Sequence, residues 1–295
     1  REMLKNFYDA WYRPDRMMLI MAGDFDVAEA DQLIRERFSD ITARGPERIY
    51  PDPGFIAHGG AKAFHHFENE AGSTRVSIEV VSKQIQPTDS VDYRRTQLYS
   101  RMANHIINQR LSEMLEDPET PFTHASIYSG IYLNYVKTAE INAKCPPEQW
   151  DQTLSVMEQV LRRALAHGIT NYEMELARRE FIAELEKAVK TAPTRESRHL
   201  ARSIIGSLNN MEVFQSPRQR MDLLMPMVKN AGKEDLHRAL LRDWSPGHRL
   251  IIVTGNADLT RDDVSPEDQI LTTYFSSREL PVTPLPEKET LVFPY

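Results

Sequence analysis

The chain contains two similar segments, one near each end. The first, Trp11–Phe38, has a Trp, a Pro and an Arg, then an apolar run, a Gly turn and an amphipathic helical pattern. The second begins at Trp244 and repeats this order, and aligning Gly23 with Gly255 gives an offset of 232 positions. Helix–strand–helix units also recur by chance in α/β proteins. The matched Trp, Pro, basic residue and Gly favour an internal duplication.

A duplication predicts where domains begin and end. A domain that closes shortly after Phe38 leaves room for one complete copy in the rest of the chain. Gly and Pro interrupt the pattern between Thr42 and Gly60, as is typical of a linker. We therefore interpret residues 1–44 as the end of a preceding domain and residues 45–280 as a complete second domain. Residues 281–295 are Pro-rich and predict an extended linker to a further half.

Composition limits the class of protein. The chain has 295 residues, 41% of them hydrophobic and 27% charged, which is close to the average for a globular protein. A net charge of −7 argues against a nucleic-acid partner. The single cysteine, Cys145, forms no internal disulfide and is expected to be a lone buried thiol. No apolar run reaches the ~20 residues needed to span a bilayer.

The order of predicted elements indicates the fold class. Two strands, a long helix and two more strands are followed by a block of helices, a strand and a final helix. Val76, Ile78 and Val80 alternate with polar residues, which is the pattern of a strand with one covered face. We predict an α+β fold with a mostly antiparallel sheet and helices packed on one face. The apolar run Met17–Ala22 predicts a further, short buried strand.

Histidines form the densest cluster of potential metal ligands. His65, His66 and Glu68 lie within four positions, and His58 is nearby. In a strand, His65 and His66 point to opposite faces, so they cannot chelate one ion together. We therefore expect surface or strand-edge histidines. The phosphate-binding, serine hydrolase and zinc peptidase motifs are all missing from the sequence.

Tyrosines are concentrated in the second predicted strand pair, at positions Tyr128, Tyr132 and Tyr135. They could present a surface that contacts peptides. A half-buried hairpin uses the same residues merely for packing. The sequence leaves both interpretations open.

The segment Trp11–Asp15 (Trp-Tyr-Arg-Pro-Asp), followed by Met17–Asp24, resembles a recurrent segment of the pitrilysin/insulinase family of zinc metallopeptidases. These are the inverzincins, which include the mitochondrial processing peptidases. In that family the segment closes the first, zinc-binding domain, and chains are built from repeated homologous domains. Asn108–Glu113 with Pro121-Phe122 resembles part of the second domain, and Leu291–Tyr295 resembles the start of the second half of long bacterial members.

The resemblance implies a metallohydrolase-like fold, as in the mitochondrial processing peptidase, and places the catalytic groups elsewhere. The family's His-x-x-Glu-His helix and its third ligand, a downstream Glu, would precede Arg1. We therefore assign no catalytic, cofactor-binding or metal-binding residue here and expect zinc in the upstream domain. The family also holds substrate with an Arg and a Tyr, where this chain has Glu116 and Phe122.

The resemblance thus implies a non-catalytic second domain that walls a substrate chamber and supports the zinc domain. The implied partners are a homologous catalytic domain, in the same chain or in a partner subunit, and the peptide substrate of the full-length enzyme. Long bacterial members are often exported, which favours the periplasm. One alternative is a family member without catalysis that acts as a scaffold. Another is an unrelated α+β binding module, if the two repeated segments differ in structure.

Overall fold

The computed structural model describes residues 1–52, 54, 58–261 and 263–288. The predicted resemblance at Leu291–Tyr295 lies outside these residues. The described strands are β1 (Gly60–Phe67), β2 (Thr74–Lys83), β3 (His124–Tyr132), β4 (Val136–Cys145) and β5 (His248–Gly255). The described α-helices are α1 (Glu2–Trp11), α2 (Val27–Phe38), α3 (Val91–Met114), α4 (Trp150–His167), α5 (Asn171–Thr191), α6 (Ser197–Asn209), α7 (Pro217–Asn230), α8 (Lys233–Asp243) and α9 (Pro266–Glu279).

The chain separates into two compact units. One comprises Arg1–Gly54 with Pro193–Phe214, and the other comprises Phe55–Ala192 with Gln215–Tyr295. All the described strands belong to the second unit, whereas the first contains α1, α2 and α6. Among the described helices, none combines the length and the apolar character that crossing a bilayer requires.

The second unit is built on one five-stranded sheet in the order β1-β5-β2-β4-β3. The β2–β4, β2–β5 and β3–β4 pairs are antiparallel, while β1 and β5 are parallel. The sheet is therefore mixed but mostly antiparallel, as the sequence predicts. Its last strand along the chain, β5, lies inside the sheet between β1 and β2.

One face of the sheet carries the core. Ile78 pairs with Ile141 on one side and Ile251 on the other, and all three side chains are fully buried. They belong to the same cluster as Met102 of α3 and Leu154 of α4, which cover this face together with other helical residues. Burying each such side chain stabilises the fold by about 1.5–3 kcal/mol. Helices packed on one face of an α+β sheet are the predicted arrangement.

The two repeated segments share their local structure except at the strand. In each, a helix ends at or just before the Trp, and the Arg five positions later lies over that Trp ring. The distances to the ring centroid are 4.9 Å for Arg16 on Trp11 and 5.5 Å for Arg249 on Trp244. A capped helix follows each Gly, α2 in the first copy and α9 in the second. This likeness supports the duplication.

The sequence predicts a strand at Met17–Ala22, but the structure has none there, so this prediction is wrong. The segment has no helix or strand assignment, and Met17, Met18 and Leu19 are 56–69% exposed. The physical reason is that a strand exists only through hydrogen bonds to a neighbouring strand. The described part of the first unit provides no such neighbour.

A buried carboxylate ties four elements of the second unit together. Asp243, at the end of α8, is 6% exposed. It accepts hydrogen bonds from Ser100 of α3 at 2.5 Å and from Ser129 of β3 at 2.9 Å. The ammonium of Lys137, on β4, lies 3.4 Å from its second oxygen. Because the partners of Asp243 come from three other elements, this network fixes how α3 and α8 pack against the hairpin.

Candidate functional site

The face of the sheet opposite the core is the candidate functional site, and we call it the open face. Strand pairing arranges its side chains in rows. One row consists of Lys62, Leu250, Glu79, Glu140 and Tyr128, and the next consists of Phe64, Ile252, Ser77, Asn142 and Ser126. The face is thus a mixture of charged, polar and aromatic groups.

Two carboxylates face each other on the open face. Glu79 of β2 is directly opposite Glu140 of β4. Burial raises the pKa of the Glu79 carboxyl above its ordinary value, a hydrogen bond from Ser77 opposes this, and Glu140 raises the pKa further. Arg75 forms an ion pair with Glu140. Like charges opposite each other destabilise a sheet, so the pair favours a proton or a cationic partner on this face.

The structure separates the histidines that the sequence groups together. His65 and His66 alternate between the two faces of β1, as predicted, and His65 Nε2 lies 2.9 Å from the carbonyl oxygen of Ala257. His58 lies beside His248 instead, with ring centroids 4.7 Å apart. Across the described residues, no group of three His, Cys, Asp or Glu side chains is placed to hold a metal ion. These residues therefore do not fit a zinc site.

The contact between His58 and His248 was not apparent from the sequence, because 190 positions separate the two residues. His248 is 8% exposed, and its Nε2 accepts a hydrogen bond of 3.1 Å from the backbone N–H of Val81. Burial, and then the neighbouring His58, lower the pKa of His248 below its ordinary value of 6.5. The folded state therefore disfavours the protonated form of His248.

This environment makes stability depend on pH. Below about pH 6.5 the unfolded chain binds a proton at His248 before the folded chain does. We therefore expect the free energy of unfolding to fall as the pH is lowered from about 7.5 to 5.5. Denaturant titrations at several pH values measure this, and His248→Gln should flatten the profile. The exposed His66→Gln is the control, and an unchanged slope for His248→Gln would contradict the assignment.

Two of the three tyrosines are exposed, and the third contacts a lysine. Tyr128 and Tyr132 are 56% and 64% exposed, on the side of β3 that belongs to the open face. Tyr135, in the turn before β4, has the ammonium of Lys83 4.7 Å from its ring centroid. The open face therefore presents two accessible tyrosine rings, and the ring of the third tyrosine is held by a cation.

The other residues considered in the sequence analysis also have defined places in the structure. Phe122 is 3% exposed in the core, whereas Glu116 is exposed just after α3. Cys145 is buried, as expected, and burial raises the pKa of its thiol above the ordinary value. A buried thiol with a raised pKa stays protonated and is a poor nucleophile.

The outer edge of the sheet at β3 is covered at its centre. Asn108 of α3 donates from Nδ2 to the carbonyl oxygen of Ile127 at 3.0 Å, and its Oδ1 accepts from the N–H of Ile127 at 2.8 Å. These are the groups that an added strand would use. A peptide therefore cannot extend the sheet through Ile127 unless Asn108 moves.

Comparisons with known proteins agree with this fold. The sequence model of the protein family called Peptidase M16 inactive domain matches residues 1–181. The probable zinc protease PqqL of Haemophilus influenzae is 22% identical over 256 residues, which are 84% of this chain and 27% of that protein. The uncharacterized zinc protease Mb2805c of Mycobacterium bovis is 24% identical over 241 residues, 81% of this chain and 53% of that protein.

A solved structure shows the same fold. The first half of the periplasmic protease PqqL from Escherichia coli superimposes with a TM-score of 0.79 at 17% identity, covering 96% of this chain and 60% of that one. The chain spans about a quarter to about half of the length of the two curated relatives. Because the family model matches more than half of the residues, the chain belongs to the M16 peptidase family, in its inactive-domain group.

Proposed function

We propose that this chain is a non-catalytic segment of a zinc metallopeptidase. Residues 45–280 form its second, inactive-type domain, residues 1–44 end a preceding domain of the zinc-binding type, and residues 281–295 lead to a further half. The observation that carries this proposal is the unpaired apolar segment Met17–Ala22. Its counterpart in the second repeat, β5, is paired on both sides.

The alignment of the repeats assigns a position to each side chain of that segment. With Gly23 aligned to Gly255, Leu19 corresponds to Ile251 and Met21 to Val253. Ile251 and Val253 are fully buried in the core, whereas Leu19 and Met21 are 56% and 48% exposed. Placing such side chains in a core stabilises a fold by about 1.5–3 kcal/mol each. We infer that a parallel and an antiparallel strand of the preceding domain flank this segment, as β1 and β2 flank β5.

Zinc belongs to the preceding domain in this proposal. The described histidines and carboxylates of the chain do not meet in a ligand set. The curated relatives described above are named as zinc proteases. In this proposal the described residues contribute no zinc ligand, and the role of the chain is to support the zinc domain and to form one wall of the chamber that holds the peptide.

The open face is the wall that we assign to that chamber. Phe64 and Tyr128 are 51% and 56% exposed on it, on the edge strands β1 and β3. Aromatic rings with accessible faces, interspersed with charged groups, suit contact with an extended peptide. Since Asn108 covers the centre of the β3 edge, we assign the contact to side chains of the open face rather than to an added strand.

The test compares this chain with a longer product that includes the residues encoded before Arg1. Hydrogen exchange at Met17–Ala22, zinc content and peptide hydrolysis are measured on both. We expect these amides to exchange at least about a hundredfold more slowly in the longer protein, which corresponds to about 2.8 kcal/mol of local stability. Zinc and hydrolysis are expected in the longer protein only.

Other results discriminate between the alternatives. Slower exchange without zinc or hydrolysis would favour a family member that acts as a scaffold. Unchanged exchange would refute the assignment of residues 1–44 to a preceding domain. Stoichiometric zinc in the present chain would refute the assignment of the metal, and His58 and His248 would then be the first residues to replace.

A further inference from the structure

The junction between α4 and α5 borders a partly open cavity of about 120 Å³ with a cationic lining. Arg110 of α3, Arg163 of α4 and Lys233 of α8 line it, together with the carboxylate of Glu287 from the tail after α9. A cavity of this volume has room for several waters or for one small ion. None of its lining residues belongs to the two rows of the open face, and it has no part in the function proposed above.

Two of the arginines that line the cavity each have one buried guanidinium nitrogen without an acceptor among the described residues. Arg110 donates from Nε and Nη2 to Glu173 at 2.6 and 2.9 Å, and also from Nη2 to the carbonyl oxygen of Gly168 at 2.9 Å. Its Nη1 has no hydrogen-bond partner among the described residues, and the same holds for Nε of Arg163. A buried charged donor without an acceptor is costly, so such groups indicate a missing water or ion.

The charges at the cavity do not cancel. Glu173 neutralises Arg110, and the Glu287 carboxylate lies 3.9 Å from the ammonium of Lys233. Arg163 has no ion pair within the described ranges. The excess is one positive charge, located at Arg163, and a single anion would balance it.

The walls of the cavity are held in place by local structure. Gly168 ends α4 with a φ of +72°, and Thr170 and Glu173 form the capping box that begins α5. The tail closes another side, because Glu287 accepts hydrogen bonds from the N–H of Asn171 at 3.0 and 3.1 Å. The first turn of a 21-residue helix adds a positive potential to this region.

We propose that this cavity is a binding site for a small oxyanion, a carboxylate or a phosphate, held by the guanidinium groups of Arg110 and Arg163. Planar guanidinium groups match the geometry of both anions. Glu173 already holds Arg110 in position. Arg163 and Lys233 are therefore the side chains that adjust their positions to the anion.

The experiment titrates the full chain with inorganic phosphate and, separately, with acetate, by isothermal calorimetry at constant ionic strength set with chloride. We expect saturable binding of one of the two anions, and the anion that binds identifies the class of ligand. Arg163→Gln should weaken this binding about tenfold, the effect of losing one charge-assisted hydrogen bond. The exposed Arg179→Gln, on α5, is the matched control and should bind within about twofold of the original chain.

Two further measurements allow for the case in which Arg163→Gln does not fold. Circular dichroism shows whether Arg163→Gln is folded, and Lys233→Gln reports on the same cavity from α8 if it is not. Saturable binding that is weakened in Arg163→Gln or Lys233→Gln, and not in Arg179→Gln, supports the site. Absence of saturable binding for both anions, or equal binding in all variants, overturns it.

Discussion

Replacing Gly255 with alanine is expected to lower the free energy of unfolding of the sheet-containing unit by about 3 kcal/mol or more. Gly255 ends β5 with a φ of +116°, a conformation that L side chains rarely adopt. An added Cβ would lie 2.3 Å from the carbonyl oxygen of Ser73 and 3.0 Å from Cα of Thr74. Both are backbone atoms, so the collision cannot be relieved by rotating a side chain.

The repeat supplies the control for this substitution. Gly23 has the same place in the first segment, but among the described residues a Cβ there would meet only the Phe25 side chain, at 3.5 Å. We expect Gly23→Ala to change stability by less than about 1 kcal/mol. Denaturant titrations followed by tryptophan fluorescence compare the two variants. Equal stability of Gly255→Ala and the original chain would show that the loop before β2 can move away.

Removing the carboxylate of Asp243 has the second large expected effect. Asp243→Ala leaves Lys137, whose side chain is 18% exposed, without its counter-ion, and it takes the acceptor from Ser100 and Ser129. Breaking a mostly buried ion pair by removing one partner costs about 3 kcal/mol. We expect the free energy of unfolding to fall by this amount. The same denaturant titration measures it.

An exposed ion pair gives the matched comparison. Asp222 pairs with Arg218 on α7 at 3.1 Å, with side chains 56% and 70% exposed. Asp222→Ala should cost less than about 1 kcal/mol. A double-mutant cycle of Asp243→Ala with Lys137→Met then isolates the pair itself. If Asp243→Ala costs no more than Asp222→Ala, the network does not fix α3 and α8.

Local signals were sufficient to predict most elements of the second unit. The sequence places Gly168, Thr170 and Glu173 close together, and in the structure Gly168 ends α4 while Thr170 and Glu173 form the capping box that begins α5. The alternation at Val76, Ile78 and Val80 identified the buried face, where these side chains are 0–2% exposed. Such signals act within a few residues, so they can be read from a single sequence.

Signals that depend on distant partners could not be read in this way. Met17–Ala22 and β5 have the same apolar pattern, yet only β5 is a strand, because only β5 has neighbours. The opposed carboxylates Glu79 and Glu140 meet through the strand register, and His58 meets His248 through the parallel pairing of β1 with β5. The spacing of these residues in the sequence does not predict that they are in contact.

The interior position of β5 also determines the order in which the sheet can assemble. β4 pairs with both β2 and β3, and all three strands lie within Thr74–Cys145, so they can come together early, with α3 beside them. β1 pairs with β5 alone, almost 190 residues later in the chain. Closing so long a loop makes folding slow. During synthesis β1 therefore has no partner strand until His248–Gly255 has been made and has inserted between β1 and β2.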